Sequence, residues 1–413
     1  MIDFLKKSTW SLSSIVIKSI STLVINKLFA IYFGTTGITL FAHFQNLISL
    51  ITQVPNDGVN RGIIKYWSGN QLNPNEKHKL FKAGFILNLV ILIITLTLIY
   101  VFRGYILRDF EFRFNILTVI LVLTGILLFI IHLFLLSVVL SYQKIKVYAI
   151  INAVSSAIIV VAIFIIVRSG NLHYTLIAFI LAQASAVALS LLYCLNKKYI
   201  KPIKERISTN DFKKLGEFVL MALSVLLFGK ITDFIIRDYA IQYFGMHHTG
   251  LWQSIVKISD GYMMLFINTV GIVYYPQVSA LILNTDKLRQ YLRDVLKIVV
   301  FVSVTGLILI YVARVPILTL LYNREFVPAS ALMPMQFVGD FFCIISYLLT
   351  YIISAQARTR TFIILQAVST VFYIFLVYIL SMNQGIEGIP AAHAIRYFVF
   401  VIILIILNKR IIF

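Results

Sequence analysis

The sequence predicts an all-α integral membrane protein, and three observations support this fold class. Of the 413 residues, 60% are hydrophobic and 13% are charged, and the mean hydropathy is +0.93. A water-soluble domain is about half apolar and about a quarter charged. The apolar residues form runs of about 20, the length that a helix needs to cross about 30 Å of hydrocarbon. These runs are continuous or follow the helical period, without short alternating segments, which favours helices over a β-barrel and excludes a cytosolic enzyme.

Twelve such runs follow one another along the chain, and each is predicted to be one membrane-spanning helix. Their approximate limits are 10–33, 38–60, 82–102, 115–140, 147–167, 173–195, 215–236, 251–276, 295–313, 329–355, 361–381 and 388–408. The signal is weakest for the second and tenth runs, which contain polar residues such as Asp57 and Asp340. The first run is predicted to remain as a span, because Lys18 and Lys27 interrupt it and no signal-peptide cleavage site follows.

The loop charges predict the orientation of these spans. The chain has 36 Lys and Arg against 16 Asp and Glu, a net charge of +20. With twelve crossings, 23 of the 36 cations lie in connectors on the side of the N-terminus and 7 on the opposite side. Because short cytoplasmic loops are enriched in Lys and Arg, both termini are predicted to be cytoplasmic. Membrane topology alone accounts for these basic loops, so no nucleic-acid partner is predicted.

The chain is predicted to contain two related halves, residues 1–200 and 201–413. The longest polar stretch, Asn196–Lys214, separates six runs from six. The triplet Tyr32-Phe33-Gly34 near the end of the first run recurs as Tyr243-Phe244-Gly245 near the end of the seventh. We therefore expect two six-helix bundles related by a pseudo-two-fold axis along the membrane normal, with a substrate path between them.

Charged residues inside the predicted spans mark the candidate functional positions, because charge in hydrocarbon is costly and usually faces a wet cavity. The cations are Lys18, Lys230, Lys257 and Arg396, and the carboxylates are Asp233 and Asp260. Two interpretations stay open. The pairs Lys230–Asp233 and Lys257–Asp260, each spaced i, i+3, could only lock helices together. Alternatively, surplus lysines line a hydrated cavity that suits an anionic cargo such as a phosphate or a uronic acid. For Arg396, a position at the membrane interface is a further alternative.

The sequence lacks the patterns of common catalytic and cofactor sites. The seven histidines form no H-E-x-x-H pattern, Gly229-Lys230 lacks the context of a P-loop, and no D-x-D pair occurs. Cys194 and Cys343 lie in apolar runs and are expected to be small buried hydrophobes. His247-His248 is expected to be solvated in an extracytoplasmic turn. No loop reaches 25 residues. The chain is therefore predicted to be no enzyme and to hold no cofactor or metal, which leaves transport without ATP.

Two stretches resemble a known family. The stronger comprises Phe218-Val219-Leu220-Met221-Ala222, Gly250-Leu251-Trp252-Gln253, Ile258-Ser259-Asp260-Gly261-Tyr262 and Tyr275-Pro276-Gln277-Val278-Ser279. The weaker comprises Ala30-Ile31-Tyr32-Phe33-Gly34-Thr35-Thr36-Gly37, followed by Asn46, Gly58-Val59 and Lys65-Tyr66. The chain resembles the Wzx-type lipid-linked oligosaccharide flippases, namely the O-antigen and enterobacterial-common-antigen translocases. These belong to the multidrug/oligosaccharidyl-lipid/polysaccharide exporter superfamily.

The resemblance implies a flippase in the bacterial inner membrane. Its substrate would be an undecaprenyl-pyrophosphate-linked oligosaccharide, moved to the periplasmic leaflet by alternating access through a cationic cavity. Lys18, Lys230, Lys257 and Arg396 would hold the phosphate or acidic sugars, and Asp233 or Asp260 would bind a proton or Na⁺. Membrane lipids, a glycan polymerase and a chain-length regulator are the expected partners. Two alternatives remain: a drug/cation antiporter of the same superfamily, whose cavity should be net acidic, and a membrane glycan polymerase or ligase.

Overall fold

The computed structural model describes most of the chain. The described residues are 2–68, 73–106, 116–199, 208, 212, 213, 215, 216, 219, 223, 226–270, 274–282, 284–356 and 358–412. Nearly all of them are helical, as the sequence predicts. Most of the polar connector after Asn196 lies outside the described residues, and so does the Phe218–Ala222 motif except for Val219.

Several helices match predicted runs, whereas the two long helices Ile2–Ser68 and Thr232–Thr269 also cover residues 34–37 and 237–250, which the sequence predicts to be connectors. The helices of the first half are α1 (Ile2–Ser68), α2 (Pro74–Val101), the short α3 (Arg103–Ile106), α4 (Ile116–Ser141), α5 (Ile145–Ile166) and α6 (Leu172–Asn196). After a π-helical turn at Leu227–Ile231 come α7 (Thr232–Thr269), α8 (Tyr275–Leu281), α9 (Thr285–Val312), α10 (Arg314–Leu321), α11 (Met333–Ala355), α12 (Thr359–Gln384), α13 (Gly388–Leu407) and α14 (Lys409–Ile412). Short 3-10 turns occupy Val167–Ser169, Arg324–Leu332 and Gly385–Glu387.

Asparagine residues begin several of these helices where a polar connector ends. The backbone N–H of Asn73 donates to the Glu76 carboxylate at 2.9 Å, and Pro74 occupies the first turn of α2. The side-chain oxygen of Asn171 accepts from the N–H of Tyr174 at 3.1 Å and caps α6. Such caps satisfy N–H groups that have no partner within the helix. These caps set the residues at which α2 and α6 begin.

The helices expose apolar surface that only lipid can cover. Eight helical stretches of the described chain are long and apolar enough to cross a membrane. The most apolar window of α9 has no buried residue, and exposed side chains such as Phe301 and Leu309 cover this helix. A water-soluble protein rarely exposes apolar patches of this extent. The chain is therefore a multi-pass membrane protein, whereas the count of twelve spans remains a prediction.

Two glycines interrupt long helices where the repeated sequence triplets end. Gly34 in α1 has φ 59° and ψ −154°, and Gly245 in α7 has φ 76° and ψ 170°. Glycine alone adopts this region of backbone space readily. The break at Gly34 falls at the predicted end of the first span. The repeated triplets thus share a backbone conformation as well as a sequence, while the symmetry between the predicted halves 1–200 and 201–413 stays a prediction.

The helices group into two compact units. The N-terminal unit comprises Met1–Phe33 and Leu40–Phe234, and the C-terminal unit comprises Gly34–Thr39 and Ile235–Phe413. In the N-terminal unit, α6 packs against α4 and α5. One of its apolar clusters includes Val59, Leu80 and Phe134, and Cys194 is buried in another.

In the C-terminal unit, α13 packs between α11 and α12, and α9 packs against α11. Leu288, Leu349 and Phe400 belong to the apolar cluster that these helices bury together. Cys343 of α11 is buried and unbridged, as Cys194 is, which confirms the expectation for both cysteines. This packing also brings polar residues of α7, α11 and α13 together, as described next.

Candidate functional site

A buried carboxylate lies in the middle of the C-terminal unit. Asp340 of α11 is 2% exposed. Its Oδ1 accepts from Nε2 of Gln336 at 3.1 Å and lies 2.9 Å from Nε2 of His393. Its Oδ2 accepts from the hydroxyl of Ser259 at 2.6 Å and from the hydroxyl of Tyr262. These five residues are called the Asp340 network below. Each of the two carboxylate oxygens therefore has two hydrogen-bond partners.

Three helices position the Asp340 network. Ser259 and Tyr262 are three residues apart on α7, and Gln336 and Asp340 are four apart on α11, so each pair shares one helix face. His393 comes from α13, which passes very close to α11 at Gly339. A Cβ added to Gly339 would lie 2.1 Å from Cδ2 of His393. Glycine is thus required at this position for the imidazole to reach the carboxylate.

Arg396 adjoins the network one turn further along α13. Its Nε donates to the hydroxyl of Ser369 at 2.9 Å. Its guanidinium lies 4.8 Å from the ring centre of Tyr373 and 4.9 Å from that of Tyr397, within the range of cation–π attraction. The His393 ring lies 4.9 Å from the Tyr397 ring in an edge-to-face arrangement. His393 and Tyr397 thus form a chain of contacts between the carboxylate of Asp340 and the guanidinium of Arg396.

The Asp340 network compensates one buried carboxylate with groups from three helices. An ionised carboxylate in an apolar interior is stable only when hydrogen bonds or opposite charge compensate it, and Asp340 has four such contacts. These contacts come from α7, α11 and α13. A change at Asp340 would therefore alter contacts of all three helices at once.

The N-terminal unit holds three of the predicted site residues. Lys18 of α1 is exposed, and Asp233 at the start of α7 is exposed as well. Lys230 is half-buried in the π-helical turn at Leu227–Ile231, and its backbone oxygen accepts from Nδ2 of Asn46 at 3.3 Å. A π-helical turn within a longer helix often occurs at functional sites. This hydrogen bond connects the backbone of Lys230 to Asn46, which lies in the second predicted span.

The C-terminal unit holds the other three predicted site residues. Lys257 is half-buried and Asp260 is exposed, both on α7, and Arg396 lies beside the Asp340 network. Ser259 and Tyr262, from the same short motif as Asp260, face the network from α7. The structure therefore brings the α7 motif and the α13 cation to one cluster. A single cavity that contains all six predicted residues remains a prediction.

The sequence alone does not identify three residues of this cluster. Asp340 is recognisable as a charge in the tenth predicted span but is not among the predicted site residues, and Gln336 and His393 have no predicted role. A signal was present, because His393 lies in the twelfth predicted span three residues before Arg396, and ionisable residues in spans are rare.

Two further expectations concern metal binding and the paired histidines. His247 and His248 are both exposed, as expected, but the predicted turn is wrong, because both lie in helical residues of α7 just after the break at Gly245. The hydroxyl of Thr35 lies 2.8 Å from Nδ1 of His247 and donates to the Glu325 carboxylate at 3.1 Å. No group of three His, Cys, Asp or Glu suited to a metal ion occurs in the part of the chain that the structure describes.

Two curated proteins are similar to this chain over nearly its whole length. They are the lipid III flippases of Escherichia coli (strain K12) and Shigella flexneri, each 23% identical over 405 residues. In each case the match covers 96% of this chain and 95% of the relative.

Solved structures of transporters share the fold. The lipid II flippase MurJ in an inward closed conformation has a TM-score of 0.74 at 17% identity, with 98% of this chain and 87% of that chain covered. An inward-facing multidrug resistance MATE transporter of the MOP superfamily has a TM-score of 0.74 at 14% identity, with 95% and 94% covered. The family model described as polysaccharide biosynthesis protein matches residues 4–282, which is more than half of the sequence. The chain is therefore a member of the polysaccharide biosynthesis protein family.

Proposed function

We propose that this protein flips an undecaprenyl-pyrophosphate-linked oligosaccharide from the cytoplasmic to the periplasmic leaflet of a bacterial inner membrane. The observation that carries the proposal is the match to the lipid III flippases, which spans 96% of this chain. A match of this extent includes both predicted halves, so it supports a flippase function for this chain as a whole. All of these relatives are named as flippases or transporters, which agrees with the prediction that the chain is no enzyme.

The physical task of such a flippase explains the charge pattern. Sugars and a pyrophosphate cannot cross hydrocarbon unaided, because each polar group would lose its hydration. A hydrated path with fixed cations replaces water around the phosphates, while the prenyl chain stays in lipid. Lys18, Lys230, Lys257 and Arg396 are the residues proposed to contact the phosphates or acidic sugars. The ring contacts of Arg396 hold its guanidinium in one place, which supports this role.

We further propose that an ion gradient drives the cycle. Asp233 and Asp260 are candidates from the sequence, and both are exposed. Asp340 with His393 is a third candidate, which the buried position and the contacts to three helices favour. The ion must bind one conformation better than the other, because coupling is a difference in affinity between states. Release of a proton from the Asp340–His393 pair changes helix contacts directly, so it meets this condition.

A drug/cation antiporter is the second candidate function. The likeness to a multidrug resistance transporter and the buried Asp340 favour it. A cationic drug requires net negative charge in its path, whereas lysines outnumber carboxylates among the predicted site residues. A membrane glycan polymerase or ligase is less well supported, since no catalytic pattern occurs in the sequence. The partners proposed for the flippase, a glycan polymerase and a chain-length regulator, would act on its product.

The test is the leaflet distribution of a labelled lipid-linked oligosaccharide in proteoliposomes of the purified protein. Lys230→Ala and Lys257→Ala should each lower flipping about tenfold or more, because each removes a charge-assisted contact to the cargo. Lys297→Ala is the matched control, since Lys297 is an exposed cation on α9. Normal flipping by both variants at normal membrane levels would refute the role of these lysines. Uptake of a cationic drug without flipping would favour the antiporter.

A further inference from the structure

A basic cleft lies at the ends of three helices of the N-terminal unit. It has a volume of about 470 Å³ and is lined by Trp10, Lys144, Lys146, Tyr193, Lys197 and Tyr199, among others. The connector between α4 and α5, the end of α6 and the start of α1 form its walls. Its volume lies within the range of about 300–1,000 Å³ that is usual for small-molecule sites.

The charge of the cleft is positive. Lys144, Lys146 and Lys197 line it, and the residues that line it in the described part of the chain include no Asp or Glu. Lys144 is also the residue before the first turn of α5, and it provides no side-chain cap there. The free N–H groups and the dipole of a helix N-terminus favour an anion at such a position. The three ammonium groups and the N-terminus of α5 therefore all favour the binding of an anion.

Aromatic rings line the cleft together with the lysines. The Nζ of Lys146 lies 5.2 Å from the ring centre of Trp10, and the Trp10 side chain is 39% exposed. Tyr199 stacks on Tyr142 with ring centres 3.8 Å apart. Burial, followed by the neighbouring Tyr193, raises the pKa of Tyr199 to about 12, so its hydroxyl remains a neutral donor. Tryptophan and tyrosine beside lysine are typical of the boundary between lipid and water.

The backbone around the cleft is held in an unfavourable conformation. Gln143 has φ 56° and Lys198 has φ 54°, and these are the non-glycine residues with positive φ in the described part of the chain. In both turns an N–H reaches back five residues, from Lys144 to Val139 at 3.2 Å and from Tyr199 to Cys194 at 2.9 Å. Glycine usually occupies the left-handed position of such a helix end. Side chains at this position cost roughly 1–2 kcal/mol each, and such strain concentrates at functional sites.

We propose that the basic cleft binds the phosphate headgroup of an anionic phospholipid. The cleft lies at the ends of apolar helices where a headgroup would be, on the side that the loop charges predict to be cytoplasmic. Basic pockets between membrane helices on that side commonly bind anionic headgroups. The lysines pair with the phosphate, the tyrosine hydroxyls donate to its oxygens, and Trp10 lies against the glycerol and upper acyl chain. None of the residues that line this cleft is among those proposed to contact the flipped substrate, so the proposal does not depend on the proposed function.

The test is a binding titration of the purified full-length protein in neutral detergent. The probe is dihexanoyl phosphatidylglycerol, and dihexanoyl phosphatidylcholine serves as the uncharged comparison. We expect saturable binding of the first, at least about tenfold tighter than of the second. The triple variant Lys144→Gln, Lys146→Gln and Lys197→Gln should lose about tenfold or more in affinity.

The matched control is Lys287→Gln, Arg293→Gln and Lys297→Gln, three exposed cations on α9 with the same total charge change. Equal weakening by the two triple variants would overturn the proposal, because net charge and not the cleft would then explain binding. Equal affinity for the two phospholipids would also overturn it. Farnesyl pyrophosphate is a further probe. Tight binding of this probe at the cleft, without binding of phosphatidylglycerol, would assign the site to the substrate instead.

A single variant keeps the test decisive if the triple variant does not fold. Trp10→Phe preserves an aromatic wall but removes the indole, whose fluorescence should change when the phospholipid binds. We expect the wild type to show a saturable fluorescence change that is largely lost in Trp10→Phe. A change that persists unaltered in this variant would place the binding elsewhere and contradict the proposal.

Discussion

Two polar contacts between helices of the N-terminal unit differ in chemistry from the Asp340 network of the C-terminal unit. In the N-terminal unit, Nδ2 of Asn88 donates to Asn56 at 3.3 Å, and Nδ1 of His132 lies 3.0 Å from the hydroxyl of Ser190. Amide, imidazole and hydroxyl groups make these contacts. In the C-terminal unit, by contrast, a carboxylate is the centre of the contacts, since four donors from three helices converge on Asp340.

This difference matters for transport because a carboxylate can bind a proton or a cation much more strongly than a neutral amide or hydroxyl group can. An amide pair such as Asn56–Asn88 has the same hydrogen bonds at every physiological pH. The Asp340 network, by contrast, contains a carboxylate and an imidazole in direct contact, and both are side chains that can carry charge. The C-terminal unit is therefore the better candidate for ion coupling. In the N-terminal unit, the contact between His132 of α4 and Ser190 of α6 contains no carboxylate.

The largest effect is expected from Asp340→Asn, which keeps the shape of the side chain but removes its charge. Gradient-driven flipping should fall about tenfold or more, since coupling free energies are typically 1–3 kcal/mol. The measurement is flipping in proteoliposomes with an imposed pH or Na⁺ gradient. Asp294→Asn is the matched control, because Asp294 is an exposed carboxylate in the same unit.

The same substitution at two other carboxylates tests whether the effect is specific to Asp340. Asp233 and Asp260 are the candidates that the sequence supports, and the same Asp→Asn change applies to each. If Asp233→Asn or Asp260→Asn abolished gradient dependence while Asp340→Asn left it intact, the comparison between the units would be wrong.

A smaller effect is expected from His393→Gln. Glutamine can still donate to Asp340 but never carries a positive charge, so gradient-driven flipping should fall severalfold. His132→Gln in the N-terminal unit is the control and should leave gradient-driven flipping near the wild-type value. Wild-type flipping in His393→Gln would show that His393 takes no part in coupling.

The fold was largely predictable from the sequence because membrane spans are a local property. Continuous apolar runs end at polar caps such as Asn171 and at breaks such as Gly34, and both are visible in the chain itself. Burial of Cys194 and Cys343 followed from their apolar neighbours in the same way.

The site was predictable only in part because its contacts join distant parts of the chain. Asp340 is 81 residues from Ser259 and 53 from His393, so no local pattern connects them. The same holds for the basic cleft. Trp10 and Lys146 each fit the membrane interface separately, and only the packing of α1, α5 and α6 brings them to one cleft.

The smallest effect on transport is expected from Ser190→Ala in the N-terminal unit. This change leaves the imidazole of His132 without its hydroxyl partner and should lower the free energy of unfolding by about 1–3 kcal/mol. Flipping per folded molecule should stay near the wild-type value. Thermal unfolding in detergent measures the first quantity and proteoliposome flipping the second. A loss of gradient dependence in Ser190→Ala would show that the N-terminal unit also takes part in coupling.

The most direct measurement follows ion movement and flipping in the same proteoliposomes. A pH-sensitive dye inside the vesicles reports protons, and parallel samples report Na⁺, when a lipid-linked oligosaccharide is added outside. Ion movement that depends on the oligosaccharide is expected in the wild type and should be lost in Asp340→Asn, together with gradient-driven flipping. Oligosaccharide-dependent ion movement of equal size in Asp340→Asn and wild type would contradict this expectation.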